Sequence, residues 1–257
     1  MKNKQFCFLF FLLFLQLNIA NAQEFQLFYQ VTGPIETNCY LLYDIESKEA
    51  ALFDVGNPID SLLSTIVENN LKLKYIFATH CHIDHLEGVP SIRDKFPNAL
   101  LCYNNEDYQD FLVSIDWSIK HFDPQITEKM KQDPATAKWF EYDLSIFGPP
   151  DVKLGDDQIY KLGNLEIRTI LSPGHSIGSI CYHVGNVVLS GDVLFYRTVG
   201  RSDLLSGSAE ELEISVQRLY ALLPDSTIIY PGHGQFTDIG SEKKENKKIK
   251  LDKDNIK

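Results

Sequence analysis

Cysteine is scarce in this chain, and its five cysteines stand far apart. Cys7 falls in the N-terminal segment, whereas Cys39, Cys81, Cys102 and Cys181 sit inside or beside apolar, strand-like runs. Small exported domains that are held together by disulfides space their cysteines much more densely. The spacing therefore excludes a disulfide-rich scaffold and favours buried free thiols, with pairing among the last four as the open alternative.

Positive charge is also in short supply. The chain has 24 lysines and arginines against 35 aspartates and glutamates, which gives a formal net charge of −11. The sequence shows no basic patch outside the lysine-rich segment 241–257, and a surface of this sign repels nucleic acid. We therefore expect a small-molecule substrate, no nucleic-acid partner, and a charged, solvated C-terminal tail over residues 241–257. The sequence does not indicate an oligomeric state.

Long hydrophobic runs are confined to the N-terminus. Lys2 and Lys4 precede an apolar stretch over residues 6–17, and Ala20-Asn21-Ala22 fits the small-x-small pattern of a signal-peptidase site. The stretch is shorter than the roughly 20 residues that a membrane-spanning helix needs. We therefore expect residues 1–22 to be a signal peptide, so that the protein is exported to the periplasm or the medium and has no stable membrane insertion after cleavage.

The pattern of apolar residues predicts one α+β domain over residues 23–240. The segment 104–150 differs from the rest because it combines two aromatic-bearing helical stretches, 106–120 and 126–142, with several prolines. We interpret it as a helical lid insertion. Its aromatic side chains either line a substrate pocket or pack internally: Trp117, Phe122, Trp139, Phe140, Tyr142 and Phe147. The other predicted strands are 25–31, 38–44, 50–54, 74–79, 99–103, 158–162, 165–171, 179–184, 187–190 and 227–230, and the other predicted helices are 59–69, 86–95 and 209–223.

Seven side chains of the kinds that bind metals fall in four segments that each follow a predicted strand. The densest segment reads H-x-H-x-D-H over residues 80–85, and five of the seven histidines of the chain lie in these motifs. His121 and His183 lie outside them and are read as packing residues. Imidazole nitrogens and carboxylate oxygens suit zinc-like divalent cations, and a carboxylate can bridge two of them. The candidate ligands are His80, His82, Asp84, His85, His175, Asp192 and His233.

These motifs resemble those of the metallo-β-lactamase superfamily, whose fold is an αββα four-layer sandwich of two sheets flanked by helices. Within that superfamily the chain is most similar to the glyoxalase II-like (hydroxyacylglutathione hydrolase-like) single-domain metallohydrolases. The similarity runs through nearly all of residues 23–240. Besides the histidine cluster, the matching segments are residues 37–42, 54–56, 173–176, 191–195, 200–203 and 231–234.

The resemblance implies two divalent metal ions, which we expect to be zinc, with iron or manganese as alternatives. The first ion would be held by His80, His82 and His175. The second would be held by Asp84, His85 and His233, and Asp192 would bridge both. The resemblance also makes Asp84 a catalytic residue, which either orients the attacking hydroxide or passes a proton to the leaving group.

The implied function is hydrolysis of a thioester or a related activated acyl compound by a metal-bridging hydroxide. A mononuclear-iron persulfide dioxygenase is one alternative, because that family is similar over the same segments. A lactonase and a non-catalytic zinc-binding protein are the others. A β-lactamase is disfavoured, because the secreted lactamases of this fold lack the bridging aspartate that Asp192 supplies.

Overall fold

Two six-stranded sheets form the centre of the structure, a computed structural model that describes residues 25–250. The predicted signal peptide, residues 1–22, lies outside the described residues. Within residues 25–250, no helix combines the length and the apolar character that crossing a membrane requires.

The first sheet contains strands β1 to β6 in chain order. Strands β1, β2 and β3 pair antiparallel, and β3 to β6 pair parallel. The strands are β1 (Phe25–Thr32), β2 (Thr37–Asp44), β3 (Glu49–Phe53), β4 (Lys72–Phe77), β5 (Leu100–Tyr103) and β6 (Val152–Lys153).

The second sheet has the order β14-β13-β10-β9-β8-β7, and β10 and β13 are its parallel pair. A separate two-stranded hairpin, β11 with β12, follows β10. These strands are β7 (Ile159–Leu162), β8 (Leu165–Leu171), β9 (Ile180–Val184), β10 (Val187–Gly191), β11 (Leu194–Phe195), β12 (Thr198–Val199), β13 (Ile228–Pro231) and β14 (Thr237–Asp238). The helices are α1 (Asp60–Glu68), α2 (Ile83–Leu86), α3 (Val89–Lys95), α4 (Asn105–His121), α5 (Pro124–Gln132), α6 (Pro134–Ala137), α7 (Ala209–Leu222) and α8 (Ile239–Glu245).

Strand β2 shows how one apolar run serves two layers. Leu41 and Tyr43 pack in the cluster beneath helices α1 and α3, whereas Tyr40 and Leu42 pack between the two sheets. This follows from the alternation of side chains along a strand. A third cluster joins the second sheet to α7 and α8. The predicted αββα four-layer sandwich is therefore confirmed.

The helix predicted over residues 86–95 is wrong at its start, because two helices, α2 and α3, lie there and Gly88 separates them. A Cβ atom at Gly88 would lie 2.4 Å from the carbonyl oxygen of Gly56 and 2.8 Å from Val55 Cγ1. The Gly88 N–H also donates to the Val55 carbonyl at 2.8 Å. The chain bends here so that the loop after β3 can pack directly against α2, which carries Asp84 and His85.

The segment 104–150, expected as a helical lid insertion, contains α4, α5, α6 and two 3₁₀ turns between β5 and β6. The single helix predicted over 126–142 is wrong, because Pro134 ends it. Proline lacks the N–H that a helix interior needs, and it suits the first turn of a new helix. The Asp133 side chain caps that new helix, α6, by accepting from the Ala135 N–H at 2.9 Å.

All four cysteines of the described chain are free and buried. Burial raises the pKa of the Cys39 thiol to about 11 and that of the Cys181 thiol to about 12. These thiols are therefore protonated at neutral pH, as expected of packing residues.

The start of the C-terminal segment is folded and partly buried, contrary to the expectation of a solvated tail. Helix α8 runs into it, and Glu242, Asn246 and Ile249 are buried against the second sheet and α7. The Glu242 carboxylate accepts from the backbone N–H of Arg197 at 3.0 Å and from its guanidinium at 2.6 Å. It also accepts from Thr237 Oγ1 at 2.6 Å. The lysine count predicted a solvated tail because it does not register this buried acceptor or its distant partners.

Glu242→Ala is expected to destabilise the protein by about 3 kcal/mol, because it leaves several donors around a fully buried position without their acceptor. The matched control is Glu245→Ala, one turn further along α8. Glu245 pairs with the same arginine at 2.8 Å but its side chain is 60% exposed, so a loss below about 1 kcal/mol is expected. Urea unfolding followed by circular dichroism measures both, and equal losses would contradict the assignment.

Candidate metal centre

Four loops that carry the candidate ligands meet at one end of the two sheets. Backbone hydrogen bonds join them in pairs: the Gly232 N–H donates to the Gly191 carbonyl at 2.8 Å, and the Ile180 N–H donates to the Thr79 carbonyl at 2.8 Å. Asp192 follows β10, and His233 follows the neighbouring parallel strand β13. The carboxyl ends of parallel strands lie at the same edge of a sheet, so these two side chains are neighbours.

Three histidine nitrogens form the first group. His80 Nε2 lies 3.0 Å from His82 Nδ1, and His175 Nε2 lies 3.2 Å and 2.9 Å from those two atoms. Three nitrogens bound at 2.0–2.1 Å in a tetrahedron around one zinc ion would be separated by about 3.3 Å. The observed spacing fits a shared cation closely.

The second group combines Asp84 and His85, both on α2, with His233. Asp84 Oδ2 lies 3.1 Å from His85 Nε2 and 3.4 Å from His233 Nε2. The sequence predicted these ligands in a loop after the strand, but the first two lie on a short helix. The helix turns both side chains toward the β13 loop.

Asp192 lies between the two groups. Its Oδ2 is 3.6 Å from His175 Nε2 of the first group and 3.5 Å from His233 Nε2 of the second, and its Oδ1 is 3.6 Å from His85 Nε2. Within the described chain, Asp192 Oδ1 and His85 Nε2 are buried without a hydrogen-bond partner. Buried polar atoms are rarely left in this way, and bound ions are one ordinary explanation. The structure thus brings all seven candidate ligands together, and the position of Asp192 suits a bridge.

The far sides of the imidazole rings are held by other groups. His85 Nδ1 lies 3.1 Å from Asp54 Oδ2, and the same carboxylate accepts from the Thr79 N–H at 2.7 Å and from Thr79 Oγ1 at 2.9 Å. His175 Nδ1 lies 2.8 Å from the Arg201 carbonyl oxygen. Such partners fix the ring orientation and the tautomer of a metal-binding histidine. Asp54 belongs to a segment that the sequence analysis matched to the superfamily but to which it gave no role.

The comparisons with known proteins agree with this geometry. A sequence profile described as "Metallo-beta-lactamase superfamily" matches residues 32–233. The chain belongs to the metallo-β-lactamase superfamily.

Two curated relatives of this superfamily member are near 30% identity. The chain is 31% identical over 216 residues to the probable metallo-hydrolase YqgX of Bacillus subtilis, covering 83% of this chain and 92% of that protein. It is 30% identical over 213 residues to the hydroxyacylglutathione hydrolase GloC of Haemophilus influenzae, covering 82% of this chain and 92% of that protein. The superfamily's hydrolases are therefore the group to which the chain is related.

Solved structures show the same relationship. The BLEG-1 B3 metallo-β-lactamase is similar at a TM-score of 0.69 and 30% identity, over 86% of this chain and 98% of that one. The di-iron-bound form of TTHA1623 is similar at a TM-score of 0.64 and 26% identity, over 86% of this chain and 98% of that one. A protein of this superfamily thus holds two metal ions in a similar fold.

The two candidate ligand groups of this metallo-β-lactamase-fold protein differ in protonation. Burial lowers the pKa of His82 to about 3 and holds that of His80 well below its usual range, so both are neutral and available to a metal. Burial opposes the charge on His233, but the Asp192 and Asp84 carboxylates raise its pKa to about 10. Burial also opposes the charge on His85, but the carboxylates of Asp84, Asp54 and Asp192 raise its pKa well above the usual range, so without metal the second group holds protons at neutral pH that a cation must displace.

A pocket of about 240 Å³ opens onto the candidate ligands. Four of the six aromatic residues named from the lid sequence line it: Trp117, Phe122, Trp139 and Phe140. Phe147 instead packs in the core beneath the first sheet, with Tyr142 against it. The lid thus both shapes the pocket and anchors itself to the core.

The carboxylate of Asp107, on α4, joins the two loops of the first ligand group. It accepts from the Cys81 N–H at 2.5 Å, between His80 and His82, and from the Gly178 N–H at 3.0 Å, close after His175. Asp107 is 3% exposed. Sequence reasoning missed this residue, since nothing around it resembles a motif.

We predict that metal loading depends on pH in two different ways. Binding to the second group should release a proton from His233, so its affinity rises as pH increases through neutrality toward the pKa of about 10. His80 and His82 are already neutral, so binding at the first group should depend less steeply on pH than binding at the second. Calorimetric zinc titration of metal-free protein, repeated in buffers of different ionisation heat, counts the protons. A first step with the steeper pH dependence would contradict the assignment.

Asp107→Asn should weaken metal binding at the first group by about 10-fold to 100-fold, because an amide cannot accept from both backbone N–H groups in the same geometry. Binding at the second group should change little. Asp116→Asn, at an exposed position of the same helix, is the matched control. A uniform loss at both groups, or no loss, would show that Asp107 does not position the first group.

Proposed function

We propose that the protein is an exported, dinuclear metal-dependent hydrolase that cleaves a thioester or a related activated acyl compound. The observation that carries this proposal is the convergence of seven ligand side chains at the end of an open pocket. Structural zinc sites are closed by four protein ligands, whereas hydrolytic sites leave a position for water and substrate. The similarity to a named hydroxyacylglutathione hydrolase supports the thioester class.

The proposed ligand sets are His80, His82 and His175 for one ion, and Asp84, His85 and His233 for the other, with Asp192 between them. Two divalent cations held in this way supply a water of near-neutral pKa and polarise the substrate carbonyl. We propose zinc for both. The di-iron form of a related structure makes iron the alternative to exclude.

Asp84 lines the pocket, and its protonation state favours one of the two catalytic roles expected for it. Its Oδ2 accepts from Thr37 Oγ1 at 2.6 Å. Burial opposes ionisation, yet His85, His233 and Thr37 hold the pKa of Asp84 well below its usual range. The carboxylate is therefore ionised at neutral pH and suits a hydrogen-bond acceptor that orients the attacking water. A thiolate, with a reference pKa near 8.5, departs without an obligatory proton donor.

β-Lactam hydrolysis is the second candidate, favoured by the similarity to the BLEG-1 B3 enzyme. This reaction needs the same attack of an activated water, in this case on the strained carbonyl of the β-lactam ring. The aspartate at position 192 argues for the thioester class over it. Export is proposed from the N-terminal segment of the sequence alone.

The test combines metal analysis with a substrate panel. We expect two zinc ions per chain in protein purified without chelators, and hydrolysis of thioesters faster than of lactones or β-lactams. One iron per chain, together with oxygen uptake when a persulfide is added, would contradict the proposal and support the mononuclear-iron persulfide dioxygenase hypothesis instead. Full metal content with no hydrolysis of any panel member would leave a binding protein.

Asp192→Ala should remove most of the bound metal and lower the hydrolysis rate by at least about 100-fold, because both ligand groups lose the carboxylate between them. Asp60→Ala, at an exposed position of α1, should leave both properties unchanged. Elemental analysis and a thioester assay on the same samples decide the point. A variant with full metal content and full activity would contradict the proposal that Asp192 bridges the two ligand groups.

A further inference from the structure

One wall of the pocket is a single face of helix α4. Phe111, Ser114, Ile115 and Ser118 occupy positions i, i+3, i+4 and i+7, which places them on one side of a helix. Their neighbours Leu112, Val113 and Ile119 are exposed and do not line the pocket. The sequence of α4 therefore presents an uncharged stripe of apolar and hydroxyl side chains toward the ligands.

Further apolar side chains line the pocket. Leu204 and Leu205, from the loop after β12, face the cavity together with Ile35, which precedes β2. The enclosed space of about 240 Å³ is somewhat smaller than the 300–1,000 Å³ typical of sites for drug-sized ligands. It therefore suits a group of modest size.

Charged partners for a charged substrate group are few in this pocket. Apart from the candidate ligands, Arg201 is the one charged residue among the described residues that line the pocket. Its guanidinium donates two hydrogen bonds to Asp203, at 2.6 Å and 2.9 Å. A glutathione moiety brings an ammonium and two carboxylates, and burying such charges without partners is costly. The lining thus disfavours the glutathionyl part of a substrate inside this pocket.

Trp139, which lines the pocket, is held in place by a buried carboxylate. Glu87, directly after α2, accepts from Trp139 Nε1 at 3.3 Å and from the Tyr142 hydroxyl at 3.1 Å, and it forms an ion pair with Lys138. The part of the pocket formed around Trp139 is therefore tied to the end of the helix that carries Asp84 and His85. A pocket held in this way binds an apolar group without a large ordering cost.

We propose that this pocket selects an uncharged aliphatic or single-ring aryl acyl group, whose carbonyl then lies at the metal centre. The proposal rests on the proposed hydrolase function and names its substrate class. Affinity comes from burial of the acyl chain between α4 and the loop after β12. The thiol or alcohol part of the substrate lies toward the open mouth and contributes little to selectivity.

Each methylene that enters the pocket should strengthen binding about fourfold, which is the transfer free energy of one buried CH₂ expressed as an equilibrium constant. The same factor should appear in kcat/KM along a series of acyl thioesters with one common thiol. The increase should stop once the chain fills the cavity.

The binding experiment uses tryptophan fluorescence, because both tryptophans of the chain, Trp117 and Trp139, line the pocket. The metal-loaded protein is titrated with straight-chain primary amides of two to ten carbons, which the enzyme is not expected to hydrolyse. The expected result is a stepwise fourfold gain per carbon up to a plateau. An affinity that does not change with chain length would overturn the proposal.

Matched variants on α4 locate the effect. Ile115→Ala should weaken binding of the longest amides about tenfold, whereas Ile119→Ala, one turn away and 43% exposed, should leave it unchanged. Ser118→Asp provides a second variant, since a charge in the pocket should weaken the same amides at least tenfold without removing any core atom. Equal effects at Ile115 and Ile119, or none at Ile115 and Ser118, would place the acyl group elsewhere.

Kinetics on the thioester series separate this proposal from the hydrolase assignment. Hydrolysis that is independent of chain length would overturn the acyl selectivity and leave the hydrolase standing. Chain-length-dependent binding of the amides without hydrolysis of any thioester would overturn the hydrolase and leave the pocket's apolar selectivity supported.

Discussion

The structure depends on holding the side chains of seven candidate metal ligands close together in one small, largely buried space. Buried imidazoles and carboxylates are costly unless they are paired, hydrogen-bonded or bound to metal. The fold answers this with partners behind the rings: His175 Nδ1 lies 2.8 Å from the Arg201 carbonyl oxygen, and His85 Nδ1 lies 3.1 Å from the Asp54 carboxylate, which also accepts from the Thr79 N–H. Asp54 itself has a φ of 53°, a conformation uncommon for a residue other than glycine. Such strain is tolerated where the surrounding contacts fix the backbone, and it is frequent at functional sites.

The two ligand groups draw on both halves of the sandwich. His80, His82, Asp84 and His85 follow β4 of the first sheet, whereas His175, Asp192 and His233 come from loops of the second. A cation in either group would therefore join the sheets as well as prepare the chemistry. The apolar pocket has the same origin, because α4 belongs to the first half and the loop after β12 to the second. Alignment of the sheets thus sets the site and its selectivity together.

Much of the fold and the convergence of the seven candidate ligands could be predicted because each depends on local signals. Alternating runs such as β2 identify strands from period alone, and histidines directly after a strand are placed at the sheet edge by chain geometry. The rest depends on distant contacts. The break at Gly88 follows from its approach to Gly56, and the role of Asp107 follows from partners 26 and 71 positions away. The burial of Glu242 follows from Arg197, 45 positions away. Charge counts and periodicity do not register such pairings.

The unequal protonation of the two groups suggests an order in which the centre assembles. His80 and His82, kept neutral by burial, can accept a cation without losing protons, whereas His85 and His233, charged by neighbouring carboxylates, cannot. Positive charge gained at the first group would disfavour the proton on His233, since like charges in a poorly screened space interact strongly. Occupation of the first group would in this way lower the cost of filling the second. Asp192 would couple the two, because its carboxylate lies within 3.6 Å of nitrogens from both groups.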